Sequence, residues 1–178
     1  MKLAGPDSKD FKLEHVDALI SNINKELKNI EGRGLIGLLA AASHIYSDMD
    51  KTPPRIPIDT GNLRASFFIV STKGGGDQSK GTGDFKGGDA AERKNEKGQV
   101  VGMVESAITA FKQPAVGLGF TANYATFVHE NLNANFTGKN TGKLKDKRRA
   151  GAGPRFFSTA LERNQGKIIE IVAKYAKI

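Results

Sequence analysis

The sequence predicts an α+β chain, a single domain of helices and short strands with two long polar loops. Three observations support this class. Apolar residues recur at helical spacing near both ends of the chain, β-rich runs lie between those stretches, and two segments carry too few apolar side chains to pack. A chain of 178 residues can bury a hydrophobic core without disulfide support.

The first predicted element is an amphipathic helix over residues 11–30. Its polar face is opposite an apolar stripe spaced by three and four positions, which contains Leu13, Val16, Ile20, Ile23, Leu27 and Ile30. Such a stripe is a seam. We therefore expect it to bury against the rest of the chain or against a neighbouring molecule.

A second helix is predicted over residues 35–50. Gly32 and Gly34 interrupt the apolar pattern before it, and both a kink and a full break are compatible with them. Pro53 and Pro54 are expected to end the helix, because proline lacks the backbone N–H and restricts the preceding residue.

The segment IPIDTGNLRASF follows the two prolines and is expected to begin with a turn. Asp59 precedes Thr60 and Gly61, and its carboxylate is expected to accept N–H bonds from the turn. Leu63 is expected to anchor this turn in the core. The β-branched and aromatic run FFIVST, residues 67–72, predicts a strand.

Residues 73–98 differ in composition from the rest of the chain. Eight of the 26 are glycine, eleven are charged, and Phe85 is the only large apolar side chain. We predict a long, flexible inserted loop, because so little apolar surface cannot offset the entropy of ordering. Residues 99–112 fit either a helix or a strand, and a short helix is favoured.

The last third of the chain predicts a strand, a helical turn over residues 124–130, a basic loop over residues 131–153 and a final helix. Pro154 is expected to occupy the first turn of that helix, which runs nearly to residue 178. Its apolar face contains Phe157, Ala160, Leu161, Ile168, Ile171, Val172 and Tyr175.

The formal net charge is +8, and most of it lies in one segment. Residues 138–155 contain seven Lys or Arg and one Asp, which leaves only +2 for the rest of the chain. The segment is expected to contact DNA phosphates or an acidic neighbouring subunit, or to remain a solvated loop. It lacks the aromatic side chains that stack on single-stranded bases. The basic candidates are Lys143, Lys145, Lys147, Arg148, Arg149 and Arg155.

The pattern of reactive residues argues against an enzyme, a metal protein or a cofactor-binding protein. The chain has no cysteine, so thiolate catalysis, disulfides and thiolate metal sites are excluded. His15, His44 and His129 are not at metal-ligand spacing, and GKNTGK does not match a phosphate-binding loop. His44 is expected to be a hydrogen-bonded packing residue and His129 a surface or interface residue. No apolar run is long enough to span a membrane, and no signal peptide is expected.

Three strings in order resemble the head–tail joining proteins of tailed bacteriophages, also called neck or tail-completion proteins. They are IPIDTGNLRASF, NYATFVHE and GPRFFSTAL. The matching residues are Pro57, Asp59, Thr60, Gly61, Leu63, Arg64, Ser66, Tyr124, Ala125, Phe127, Val128, Phe156, Phe157, Ala160 and Leu161. The resemblance covers residues 35–72 and 115–175. His129 departs from the pattern, since that position is commonly Glu in the family.

The resemblance implies a subunit in which long N-terminal helices and a C-terminal helix pack on a small, mostly antiparallel sheet. It implies a non-enzymatic virion protein, made in the host cytoplasm and located at the head–tail junction. There, copies would form a ring around the DNA channel and contact the head connector or adaptor, the tail or tail-terminator proteins and the passing DNA. A minor capsid or head-decorating protein is one alternative, and a basic nucleic-acid-binding module is another.

The motif residues are expected mainly to support the fold, with direct contact between subunits as the second interpretation. In the first interpretation Asp59 fixes a turn, Leu63 anchors it and Arg64 pairs with a neighbour. The same two interpretations apply to the aromatic motif residues Tyr124, Phe127, Phe156 and Phe157.

Overall fold

Eight elements of secondary structure occur in the computed structural model, which describes residues 16–134 and 150–177. In chain order they are α1 Val16–Lys51, α2 Asn62–Ala65, β1 Phe67–Ser71, α3 Ala90–Thr109, β2 Val116–Phe120, α4 Ala125–Glu130, α5 Phe156–Arg163 and α6 Gln165–Ala176. The helices pack on a small antiparallel sheet of two strands, which confirms the predicted α+β class.

Helix α1 is one continuous element of 36 residues, where the sequence predicted two helical stretches. It passes through Gly32 and Gly34 without a break, and a side chain at either position would meet no other atom within 4 Å. Each glycine costs about 1 kcal/mol relative to alanine in a helix. Packing of the second half of α1 in the core outweighs that cost. The helix ends at Lys51, just before the prolines, as predicted.

Helix α6 runs antiparallel to the second half of α1. His44 on α1 hydrogen-bonds Asn164 at the start of α6, with Nε2 and Oδ1 3.0 Å apart. Seven residues earlier on α1, a Cβ on Gly37 would lie 3.0 Å from the Cα of Val172. Glycine at this position therefore lets the two helix backbones approach closely. The hydrogen bond of His44 confirms its predicted packing role.

The single C-terminal helix predicted from the sequence is two helices in the structure. Asn164 separates α5 from α6, and its side-chain amide donates to the carbonyl of Ala160 while its oxygen accepts from His44. A buried asparagine that bonds nearby backbone in this way competes with the helical hydrogen bonds. Pro154 also lies outside α5, because Arg155 has a left-handed backbone with φ of 53° and the helix begins at Phe156.

Both faces of the sheet are covered by helices. Strand β1 pairs with β2 from Phe67 opposite Phe120 to Ser71 opposite Val116. One face packs against α1 and α5 in the main core, and the other packs against α3, with Val70 buried beside Val101. All five residues of β1 are buried, which agrees with its continuous apolar and small composition.

The segment predicted as a loop over residues 73–98 differs from that expectation in two ways. Residues 90–98 form the first half of α3, which then continues through residues 99–109 and confirms the favoured helix there. Residues 73–89, the glycine-rich segment, precede α3 and lie along the free edge of β1. There the Gln78 N–H donates to the Ile69 carbonyl at 2.7 Å. Polar bonds to the backbone hold this segment in place, so it does not depend on apolar burial. Such a cover also removes an exposed strand edge.

The predicted basic loop is described only at its two ends. Residues 131–134 and 150–153 are turns and irregular backbone, except that Ala152 forms an isolated β-bridge with Arg55. Residues 135–149 lie outside the described part of the chain, so the loop there stays a prediction. Of the helices that the structure describes, none is long and apolar enough to cross a bilayer.

Candidate functional site

The three strings that resemble the neck proteins meet in one hydrophobic core. Leu63 from the first string, Val128 from the second and Phe156 from the third lie in or against the same cluster, which also contains Met49 of α1 and Phe67 of β1. Phe156 packs edge-on against Phe120, with ring centroids 5.6 Å apart. The strings are therefore the framework of the fold, and their exposed rims form the candidate docking site.

The first string begins with a turn that depends on glycine. Gly61 has φ of 92°, a left-handed conformation that disfavours residues with a Cβ. The turn bond is made by Thr60, whose hydroxyl oxygen accepts the N–H of Asn62 at 3.3 Å. Asp59 is exposed, and its side chain accepts no bond from this turn. The capping role predicted for Asp59 is therefore filled by Thr60, while the predicted burial of Leu63 is confirmed.

Asn62 connects the first string to the glycine-rich segment. Its side-chain NH2 donates to the carbonyl of Lys86 at 3.0 Å, and its side-chain oxygen accepts the N–H of Lys86 at 2.7 Å. The side chain is buried, so both of its polar ends are paired away from water. Sequence reasoning missed this residue, because nothing local distinguishes a buried asparagine from a turn asparagine.

Arg64 forms its ion pair within its own chain. Its Nε lies 3.1 Å from Oδ1 of Asp50 and 3.3 Å from the hydroxyl of Tyr46, and a terminal nitrogen donates to the carbonyl of Gly81. Burial acts to lower the pKa of Arg64, but the hydrogen bond to Tyr46 and the electrostatic interactions with Tyr46 and Asp50 raise it above its ordinary value. Arg64 thereby ties α2 to α1, in agreement with the interpretation as fold support.

The second string presents two aromatic side chains at the surface. Tyr124 is 40% exposed and Phe127 is 69% exposed. Burial raises the pKa of Tyr124, Arg93 lowers it and Asp59 raises it, so the net shift is upward. Since Phe127 contributes little to the core of its own subunit, it is available to a partner.

The third string begins with a backbone contact to the second. The N–H of Arg155 donates to the carbonyl of His129 at 2.8 Å, and the N–H of Ser158 donates to Nε2 of His129 at 3.3 Å. Since Nε2 accepts, Nδ1 carries the proton that bonds Glu130, 2.6 Å away. His129 therefore caps the first turn of α5. This is a structural role that the adjacent His-Glu pair did not reveal in the sequence.

An ion pair holds the glycine-rich segment against the first string. Lys97 of α3 lies with Nζ 2.8 Å from Oδ2 of Asp77, and it also donates to the carbonyls of Ala65 and Phe67. Burial acts to raise the pKa of Asp77, but hydrogen bonds from Lys97 and from the N–H groups of Ile69 and Ser79 outweigh it and lower the pKa. The sequence offered no signal for this pair, because the residues lie far apart in the chain.

A cavity of about 690 Å³ lies between α3 and the glycine-rich segment. Its lining includes Phe85, Lys94, Lys97, Val101 and Glu105. Lys97 already bonds Asp77, and Glu105 accepts the N–H of Gly76 at 2.7 Å. Two of the polar groups at its wall, Lys97 and Glu105, thus hold the segment itself.

Of the basic candidates, Arg155 lies within the described part of the chain and is exposed. The other five lie outside it: Lys143, Lys145, Lys147, Arg148 and Arg149. Among the described residues, no group of three or more acidic or histidine side chains is placed to bind a metal ion.

The apolar stripe at the start of α1 lies outside the core of the subunit. Ile20, Ile23 and Leu27 are 50%, 50% and 52% exposed, and residues 20–29 are all exposed. For these three side chains, burial against the described part of the same chain, one of the two outcomes left open by the sequence, does not occur. Ile30 is half-buried, and residues 11–15 of the predicted helix, with Leu13, lie outside the described part of the chain. Like Phe127, these side chains are apolar surface available to a neighbouring molecule.

Comparison of the chain with family models, with curated proteins and with solved structures gives no match.

Proposed function

We propose that this chain is a structural protein of the neck of a tailed bacteriophage. A ring of copies would join the head connector to the tail and surround the DNA that passes between them. The observation that supports this most is that the three neck-like strings converge on one core, around Leu63, Val128 and Phe156. The residues that carry the resemblance therefore belong to the framework of the subunit.

The distribution of exposed apolar side chains supports assembly with other copies. Several large ones have no cover within the described residues, and they lie on separate elements: Ile23 on α1, Met103 on α3 and Phe127 on α4. A ring subunit carries two different surfaces that its neighbours cover, and exposed apolar side chains on different elements are compatible with such surfaces.

The proposal assigns the chain a role in docking and no chemical step. Two of the ionisable groups with shifted pKa values serve the fold, because Asp77 holds the glycine-rich segment and Arg64 ties α2 to α1. The basic residues of segment 138–155 would face the DNA channel or an acidic neighbouring subunit, where a phosphate or carboxylate would neutralise them.

The test is removal of this protein from a phage that encodes it. We expect filled heads and complete tails to accumulate separately in electron micrographs, and wild-type protein supplied in trans to restore joined particles. A Phe127→Ser variant should restore fewer joined particles than the matched control Thr126→Ser. Both positions are exposed, but only the first substitution removes apolar surface. Normally joined particles in the absence of the protein would contradict the proposal.

A further inference from the structure

We propose that the apolar stripe of α1 in one copy packs antiparallel on the outward face of α3 in the next copy. The inference rests on the ring assembly proposed above and identifies the surfaces that form it. The α1 stripe consists here of Ile20, Ile23, Leu27 and Ile30, and the outward face of α3 consists of Glu96, Gln99, Met103, Ala107 and the C-cap residue Ala110.

The spacing on α1 is that of a coiled-coil seam. Its apolar residues alternate at intervals of three and four, which places them along one line of the helix. The same line continues to Gly37 and His44, where α6 already covers it. Beyond the end of α6, Ile20, Ile23 and Leu27 of this line are exposed among the described residues, so the exposed part of the stripe continues an existing helix–helix contact.

The outward face of α3 matches this stripe in character and length. Glu96, Gln99, Met103, Ala107 and Ala110 are spaced by three and four positions, and all are exposed. The opposite side of α3 packs on the sheet through Val101 and its neighbours. From Met103 to Ala110 the face is apolar, and Met103 is 72% exposed. From Ile20 to Arg33 and from Glu96 to Ala110, the two helices are each about 20 Å long.

Charge fixes the direction of the pairing. Antiparallel packing places Ile23 on Ala107 and Leu27 on Met103, and it brings Arg33 next to Glu96. Arg33 brings the opposite charge to this end. Its Nε and one terminal nitrogen are already covered by its own chain, with no hydrogen-bond partner among the described residues, so the other terminal nitrogen is the one that would reach the Glu96 carboxylate. A parallel arrangement would instead place Ile20 on the Glu96 carboxylate.

Pairing of α1 with α1 of a second copy is less favourable. A parallel coiled coil would bring Glu26 close to Glu31 of the second copy, and a symmetric antiparallel one would bring the two Glu26 side chains together. Like charges at these flanking positions oppose association. The α1–α3 contact avoids both repulsions. It also joins two different surfaces, as a closed ring requires.

Cysteine cross-linking tests this contact directly, because the chain has no cysteine of its own. Ile23→Cys in one copy and Ala107→Cys in a second copy carrying a larger tag should form a mixed disulfide dimer on mild oxidation. Lys25→Cys, on the far side of α1, is the matched control and should give little product with Ala107→Cys. Cross-linking of Ile23→Cys mainly to itself would overturn the inference in favour of an α1–α1 pair.

A charge exchange provides the second measurement. Arg33→Glu should weaken self-association at least tenfold in analytical ultracentrifugation, and adding Glu96→Arg should restore most of it. If oligomers persist unchanged in Arg33→Glu and the cysteine pair gives no mixed disulfide, the α1–α3 contact is wrong and the ring survives. If the wild-type chain stays monomeric at every concentration, ring assembly itself fails, and with it the proposed function.

Discussion

Lys97 and Asp77 form an ion pair that fastens the glycine-rich segment to the sheet, with Nζ and Oδ2 2.8 Å apart. The same ammonium group donates to the carbonyls of Ala65 and Phe67, at the junction of α2 and β1. One cation thus satisfies a carboxylate and two backbone carbonyls from the segment and the core. A segment rich in glycine and charge is ordered here by polar bonds.

The lowered pKa of Asp77 predicts a loss of stability in acid. Its carboxylate is ionised more readily in the folded chain than in the unfolded one, so its contribution is present above the ordinary pKa near 3.8 and is lost as pH falls through the lower folded value. Asp77→Asn should lower the free energy of unfolding at pH 7 by about 1–2 kcal/mol. It should also flatten the dependence on pH between about pH 5 and pH 2.

Denaturant unfolding at several pH values measures both effects. Asp84→Asn is the control, because Asp84 is an exposed aspartate of the same segment. An acid dependence of Asp77→Asn equal to that of the wild type would assign the effect to other carboxylates.

The two bonds between Asn62 and Lys86 predict a sensitive position. Asn62→Ala should lower the free energy of unfolding by about 1–3 kcal/mol, since the Lys86 N–H loses its acceptor, the Lys86 carbonyl keeps only Arg93 as a donor, and a small cavity opens. Proteolysis near residue 86 should become faster in the native state. Asn123→Ala serves as the control because Asn123 is exposed, and an equal effect of both substitutions would argue against the role of Asn62.

Two glycine-to-alanine substitutions should change the free energy of unfolding in opposite directions, because Gly61 has a left-handed backbone and Gly102 a helical one. Gly61→Ala should destabilise the chain by about 1–2 kcal/mol, because a Cβ is strained at φ of 92°. Gly102→Ala, in the interior of α3 with open space around it, should stabilise by up to about 1 kcal/mol. Thermal unfolding of the two variants beside the wild type checks the prediction. Stabilisation by Gly61→Ala would show that the turn relaxes.

The cap provided by His129 predicts a local effect on α5. His129→Ala should cost about 1 kcal/mol, because the Ser158 N–H loses its acceptor in the first turn. Glu130→Gln, which keeps a side-chain oxygen for Nδ1–H, should cost much less. Hydrogen exchange at Ser158 and its neighbours provides the measurement, and unchanged exchange in His129→Ala would contradict the capping role.

Local sequence patterns determined the positions of most elements. The run at residues 67–72 predicted β1, the prolines predicted the end of α1, and the helical turn at residues 124–130 matches α4. The burial of Leu63 was also predictable. These features depend on side-chain shape and on contacts between residues close in the chain, which spacing and composition describe directly.

Contacts between distant residues decided the rest. Gly32 and Gly34 did not interrupt α1, Asn164 divided the last helix through its bond to His44, and Asp77 found Lys97. None of these outcomes follows from residues within one helical turn. The convergence of the three strings, the partner of Arg64 within its own chain and the exposure of the α1 stripe are likewise tertiary. The sequence alone determined which side chains of α1 form an apolar stripe. Only the tertiary structure decided which part of that stripe is buried, because burial depends on how far α6 extends along α1.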